Sequence, residues 1–272
     1  MNPTILDADG ISALVGPFAY AFGLALVRIG ALVMTTPLFS TPMVPAHAKM
    51  GLVGTLTLLV IVTTSAVPAA VPEDVFNIAG AVLREAIVGG VMGLAVMVLF
   101  GALAFTGQIV GIQMGFAIAN VVDPSTHQQV GVVAQVLNLL GLMLFIVFDG
   151  HLMMLRALFE SFHLVPLGGA VLRGAIVTDE IVRLGSLLFS LGLQIALPTV
   201  CVVLLVNVGL ATIARTVPQV NIFVIGFLFT ISLGLLVLGL SLPSTAVVFS
   251  HLIEEAVQTA LRLGHSFSPM AR

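Results

Sequence analysis

The residues AIVGGVMGLAVMVLFGALAFTGQIVGIQMGFAIANVV, Ala86 to Val122, run for 37 positions without a charged side chain. A helix crosses a hydrocarbon core with about 20 apolar residues, so this stretch is longer than one crossing needs. Outward from it, further uncharged runs cover 10–27, 50–72, 124–148, 184–214 and 216–253. The first becomes long enough by admitting Arg28 near its end. The pattern predicts an all-α protein with about six hydrophobic helices, at roughly 11–35, 50–71, 82–106, 130–149, 184–210 and 218–241.

Composition excludes the soluble classes. Of 272 residues, 59% are apolar and 8% charged, whereas soluble domains run at about 45–50% and about 25%. Nine basic and twelve acidic residues cannot coat a soluble surface of this size. A net charge of −3 leaves too few cations to neutralise a run of phosphates, which excludes nucleic acid as a partner. The single cysteine, Cys201, rules out a disulfide framework and multi-cysteine metal sites, and its apolar setting predicts core packing.

The few charges orient the chain. With six crossings, Arg84, Arg156, Arg173, Arg183, Arg262 and Arg272 fall on the side of the termini, and Lys49 and Arg215 on the other. The positive-inside bias then places both termini in the cytoplasm. Residues 1–10 carry two acids and no cation, unlike the basic start of a cleavable signal peptide. The longest polar connection falls at about 150–183, closed by Thr178, Asp179 and Glu180 as a helix start. Pro198 is expected to kink the helix that follows. After Pro243, Leu252, Ile253, Ala256, Val257, Ala260 and Leu261 share one helical face, opposite Glu254, Glu255, Gln258 and Arg262. This predicts a hydrophobic domain over 1–249 and an amphipathic helix and tail over 250–272, suited to a partner or a membrane surface.

Catalytic equipment is missing from the pattern. There is no HExxH pair, and Lys49 follows no glycine-rich loop. Asp149 and His151, two residues apart, fall on different helical faces and read as a helix end meeting water. The sequence therefore predicts no enzyme, no cofactor and no metal site. Ionisable residues within apolar segments reduce to Arg28, Asp123 and Arg215, each near helix-breaking proline. Structural pairing or snorkelling suits the two arginines better than transport chemistry.

Glycine spacing says more. Gly107, Gly111 and Gly115 recur every four residues, and Gly89 and Gly93 repeat the interval. Small residues on one face let apolar helices approach closely where no hydrophobic force drives them together. Beyond Gly115, an apolar segment runs into the turn signal Asp123-Pro124.

Three stretches together resemble the flagellar biosynthetic protein FliR family and its counterparts in virulence type III secretion. They are RIGALVMTTPLFSTPMVPAHAK (Arg28–Lys49), QMGFAIANVVDPSTHQQ (Gln113–Gln129) and ARTVPQVNIFVIGF (Ala214–Phe227). One departure is Leu228, where the family usually has proline. The resemblance implies a non-enzymatic export-gate subunit of kinked helical hairpins, a FliP-like part followed by a FliQ-like part. It implies FliP-type and FliQ-type subunits, an FlhB-type switch protein and an FlhA-type export protein as partners, with unfolded polypeptides as cargo. The expected location is the bacterial inner membrane, in the flagellar basal body. By position, Gly111–His127 becomes a pore-plugging loop, with Gly111, Met114, Gly115, Phe116, Ile118, Asp123 and Pro124 as its residues. Arg28, Gly107, Arg215, Pro218, Gln219 and Asn221 become subunit contacts. The competing reading is a polytopic solute or ion transporter with its site near Arg28, Asp123 or Arg215.

Overall fold

A computed structural model describes residues 8–40, 44–64, 71–72, 74–116, 131–170, 174–216 and 221–267. Among the described residues every regular element is a helix. In chain order these are α1 (Ala8–Thr35), α2 (Pro37–Ser40), α3 (Ala46–Thr64), α4 (Val75–Gln113), α5 (Val132–Val147), α6 (Gly150–Leu164), α7 (Gly174–Thr216) and α8 (Ile222–Phe267). Five are long and apolar enough to cross a membrane, and the bent pair α5–α6 makes a sixth crossing if counted as one. The chain is a multi-pass, all-α membrane protein.

Local chemistry sets the ends. Pro37 cannot donate to the ladder, so α1 stops before it. Thr35 and Thr36 donate their hydroxyls to the carbonyls of Ala31 and Leu32, at 2.8 and 2.7 Å. Asp74 caps α4, its Oδ1 accepting from the Phe76 amide at 3.1 Å.

Several expectations need correction. The fourth segment ends as a helix at Val147; Asp149 then takes a φ of 55°, and α6 follows. Residues 150–164 are therefore helix, not connection. Met154, Ala157, Leu158, Ser161 and Phe162 bury one face of it, while Arg156, Glu160 and His163 occupy the other. Charge on that outer face disguised an amphipathic helix as a loop. Helix α7 begins at Gly174, so Thr178 and its two acids lie inside the helix, not at its cap. Cys201 is exposed, not packed in a core. The tail continues α8 without a break, and Leu252, Ile253 and Ala256 are buried within the chain itself rather than left open for a partner or a membrane.

The chain forms two compact units. The first takes 1–97, 150–181 and 254–272; the second takes 98–149 and 182–253. In the first, α4 packs so closely on α1 that a Cβ on Gly89 would fall on the Arg28 carbonyl, and one on Gly93 on the Thr35 hydroxyl. The glycine pair is thus a contact face between backbones, as its spacing predicts. In the second unit, Phe100 meets Phe145 and Phe249 edge-on, with centroids 5.6 and 6.2 Å apart. Burial differs sharply along the chain. The apolar stretch of α4 is 67% buried, against 33% for α7 and 22% for α8, so the last two expose far more apolar surface than α4 does.

Candidate functional site

Two constellations carry the polar and conformational specialisation of the chain. The first surrounds Arg28, whose side chain is wholly buried. Its Nε donates to Glu85 Oε2 on α4, which is equally buried. Nη1 donates to the Ser161 carbonyl at 3.1 Å and Nη2 to the Val165 carbonyl at 3.0 Å. The guanidinium also lies 4.3 Å from the ring centroid of Phe162. All three nitrogens are therefore engaged by the chain. Both acceptors sit at the end of α6, where a cation opposes the negative dipole end; the Ser161 carbonyl also accepts from the Val165 amide at 2.9 Å.

Glu85 has a second task. Its Oε1 accepts from the Gly168 amide at 2.8 Å, while neighbouring Arg84 donates to the Gly168 carbonyl at 3.4 Å. Gly168 has a φ of 73°, a turn geometry that glycine supplies without strain. Adjacent residues of α4 thus grip both polar groups of one turn residue.

The second constellation is the end of α4. Phe116 N–H donates to the Gly111 carbonyl and Gly115 N–H to the Ile112 carbonyl, both at 3.0 Å, with Gly115 at a φ of 92°. This is the paired-bond terminus in which a left-handed glycine closes a helix. Met114, just before it, is fully buried. The Thr230 hydroxyl of α8 donates to the Met114 carbonyl at 3.2 Å.

Of the residues assigned to a plug, the structure describes Gly111, Met114, Gly115 and Phe116; Ile118, Asp123 and Pro124 lie outside the described residues. Gly111 is ordinary helix one turn before the cap, and the bend belongs to Gly115 alone. Gly107 meets α5 at the backbone of Ala134, so that position holds a close contact within the chain. Arg215 is exposed in the last turn of α7, where a cation suits the dipole. Asn221 caps α8, its Oδ1 accepting from the Val224 amide at 3.4 Å. Pro218 and Gln219 lie outside the described residues. Among the described residues no cluster of three or more His, Cys, Asp or Glu side chains could hold a metal.

An arginine buried at the start of the proline-spaced stretch, and a glycine terminus opening the second stretch, coincide with the segments whose resemblance was noted. The profile of bacterial export proteins, family 1, matches residues 19–256. The chain belongs to this family. Relatives named flagellar biosynthetic protein FliR include that of Escherichia coli (strain K12), 34% identical over 231 residues, or 85% of this chain and 87% of the relative. That of Pectobacterium carotovorum subsp. carotovorum is 35% identical, over 84% of this chain and 87% of the relative. The Bacillus subtilis (strain 168) protein is 28% identical over 89% and 94%.

For this FliR-family chain the sequence reading missed three site residues. Glu85 was hidden at the border of the long uncharged run, although its adjacency to Arg84 inside an extended helix could have flagged it. Thr230 and Gly234 carried no signal, because their importance arises from contact with Met114, 116 positions away from Thr230. Asn221, read in the sequence only as a subunit contact, also carried a cap signal, an Asn before an apolar run.

Proposed function

We propose that the chain is a membrane-embedded, non-enzymatic subunit of the flagellar protein export apparatus, working in the bacterial inner membrane at the base of the flagellum. The observation that carries this reading, beside family membership, is the apolar surface that α7 exposes around its length. Ile181, Phe189, Leu197, Leu205 and Ile213 are all exposed along it. At about 1.5 Å per residue they span about 48 Å, against a hydrocarbon core of about 30 Å. Tilting by up to about 40° does not remove the excess. Lipid alone leaves part of this surface uncovered, and other hydrophobic subunits are the fitting cover.

FliP-type and FliQ-type subunits are the proposed cover, with an FlhB-type switch protein and an FlhA-type export protein as further neighbours and unfolded polypeptides as cargo. Residues 1–249 form the export-gate domain, a FliP-like part followed by a FliQ-like part, and 250–272 close it as an amphipathic helix and tail. Residues 111–127 plug the pore: Phe116 and Ile118 supply bulk that dewets a constriction, Met114 anchors the root of the segment, and Asp123-Pro124 turns it back. Arg215, Pro218, Gln219 and Asn221 lie toward neighbouring subunits, with Arg28 and Gly107 holding the helices behind them. The transporter alternative loses its first site, since Arg28 has no nitrogen left for a solute.

The experiment is to express the chain with and without FliP-type and FliQ-type subunits and purify it from membrane. A stable hetero-complex is expected; a monodisperse monomer or homo-oligomer of the chain alone overturns the reading. Deleting Gly115–Val122 in the assembled complex is expected to leak small ions, and unchanged permeability removes the plug.

A further inference from the structure

The end of α4 rests on one face of α8. Phe227, Thr230 and Gly234 lie three and four residues apart there, the spacing that aligns side chains on a helix. The Phe227 ring stands 3.4 Å from where a Cβ on Gly115 would be. A Cβ on Gly234 would come within 2.5 Å of the Met114 Cε, 2.9 Å of its Cγ and 3.2 Å of its Sδ. Only glycine at 234 leaves the notch that receives the thioether. The Met114 carbonyl lies beyond the last regular turn, where helix carbonyls lack partners, and the Thr230 hydroxyl supplies one from another helix.

On the α8 side the contacts let go without leaving a buried donor unpaired. The Thr230 hydroxyl has a second acceptor in its own helix, the Phe227 carbonyl at 3.3 Å, only slightly farther than Met114. A hydroxyl has one proton to donate, so it can exchange one acceptor for the other. Met114 has the most adaptable side chain of the apolar residues and can repack elsewhere. None of these residues is charged, so no ion pair fixes this corner, in contrast to the Arg28–Glu85 cluster.

We infer that Met114, Thr230 and Gly234 form a releasable latch: they hold the end of α4 on α8 while the pore is closed and let go when cargo passes. The inference rests on the plug reading, because the latch sets the root from which residues 115 onward depart. It is a device of the described α4 end and of α8, distinct from whatever the following residues do.

The test uses the assembled export complex carrying Cys201→Ser, Met114→Cys and Gly234→Cys. Diamide oxidises the two thiols to a disulfide, and dithiothreitol reduces it. The expected result is that export of a flagellar substrate into the medium is lost after oxidation, returns on reduction, and ion permeability stays low throughout. Full export from a complex shown by gel to be crosslinked overturns the latch. Failure of the crosslink to form in an assembled complex also overturns it, since the two positions must then lie apart. Should the double cysteine variant not assemble, Thr230→Val in the wild-type background decides. Its hydroxyl loss raises resting ion leak if the latch is real, and unchanged leak overturns it. The plug reading fails by a different measurement, unchanged permeability after deletion of Gly115–Val122, so the two failures are distinguishable.

Discussion

Arg28 on α1 and Glu85 on α4 form an ion pair in which neither side chain is exposed. Removing one partner of such a pair leaves a buried charge uncompensated, at a cost of about 3–5 kcal/mol. Arg28→Ala and Glu85→Ala are each expected to abolish accumulation of the chain in membranes, measured by immunoblot against a tagged copy. Exchanging the two, Arg28→Glu with Glu85→Arg, is not expected to rescue. The carbonyls of Ser161 and Val165 need a donor at 28, and the Gly168 amide needs an acceptor at 85.

Three glycines on one helix separate packing from mere flexibility. Gly89→Ala and Gly93→Ala drive a methyl into α1, whereas Gly90, between them, has nothing within 4 Å. Loss of assembly is expected for the first two and normal assembly for Gly90→Ala, read by co-purification with the partner subunits. Equal behaviour of all three would contradict the close α1–α4 approach.

The end of α4 gives a second contrast. Gly115→Ala forces a side chain into the left-handed region, at about 1–2 kcal/mol, while Gly111→Ala places a methyl 4.0 Å from Val133, ordinary contact. The expected outcome is a lower midpoint of thermal unfolding in detergent for the 115 variant and little change for the 111 variant.

Helix caps provide a milder test. Asp74→Ala and Asn221→Ala each remove a side-chain acceptor from a first-turn amide, worth about 1 kcal/mol. Faster amide exchange confined to the first turns of α4 and α8 is expected, with assembly preserved. Assembly failure in Asn221→Ala alone would give that residue a contact beyond its cap.

How much of this was legible depends on what each signal measures. Uncharged runs located every long helix but began α4 at 82, seven residues late. The helix starts at Val75 and carries Arg84 and Glu85 inside it, since each has a partner in the turn after α6 or on α1. The glycine interval was read correctly at 89 and 93, where the neighbour is a backbone. At 111 the interval continues as ordinary contact with Val133, and the chain turns only at Gly115, because periodicity marks a face and says nothing of φ. Cys201 failed for a related reason: an apolar run in a membrane protein does not reveal which of its faces looks outward. Thr230 and Gly234 were beyond reach, since pairing at a separation of 116 residues leaves no local trace.

The grip of Arg84 and Glu85 on Gly168 also has a history in time. The Arg28 and Glu85 positions are 57 residues apart, and Gly168 follows Glu85 by 83. Synthesis at about 5–20 residues per second makes that second interval roughly 4–16 s. Throughout it, a nascent chain holds an arginine and a glutamate in an apolar setting before the Ser161 and Val165 carbonyls and the Gly168 amide exist. Arg28 and Glu85 are the two members of the cluster already synthesised by then, so their pairing is expected to join α1 and α4 before α6 is made. The later helix arrives at a surface whose donors and acceptor are already in place, and the order of translation becomes the order of assembly.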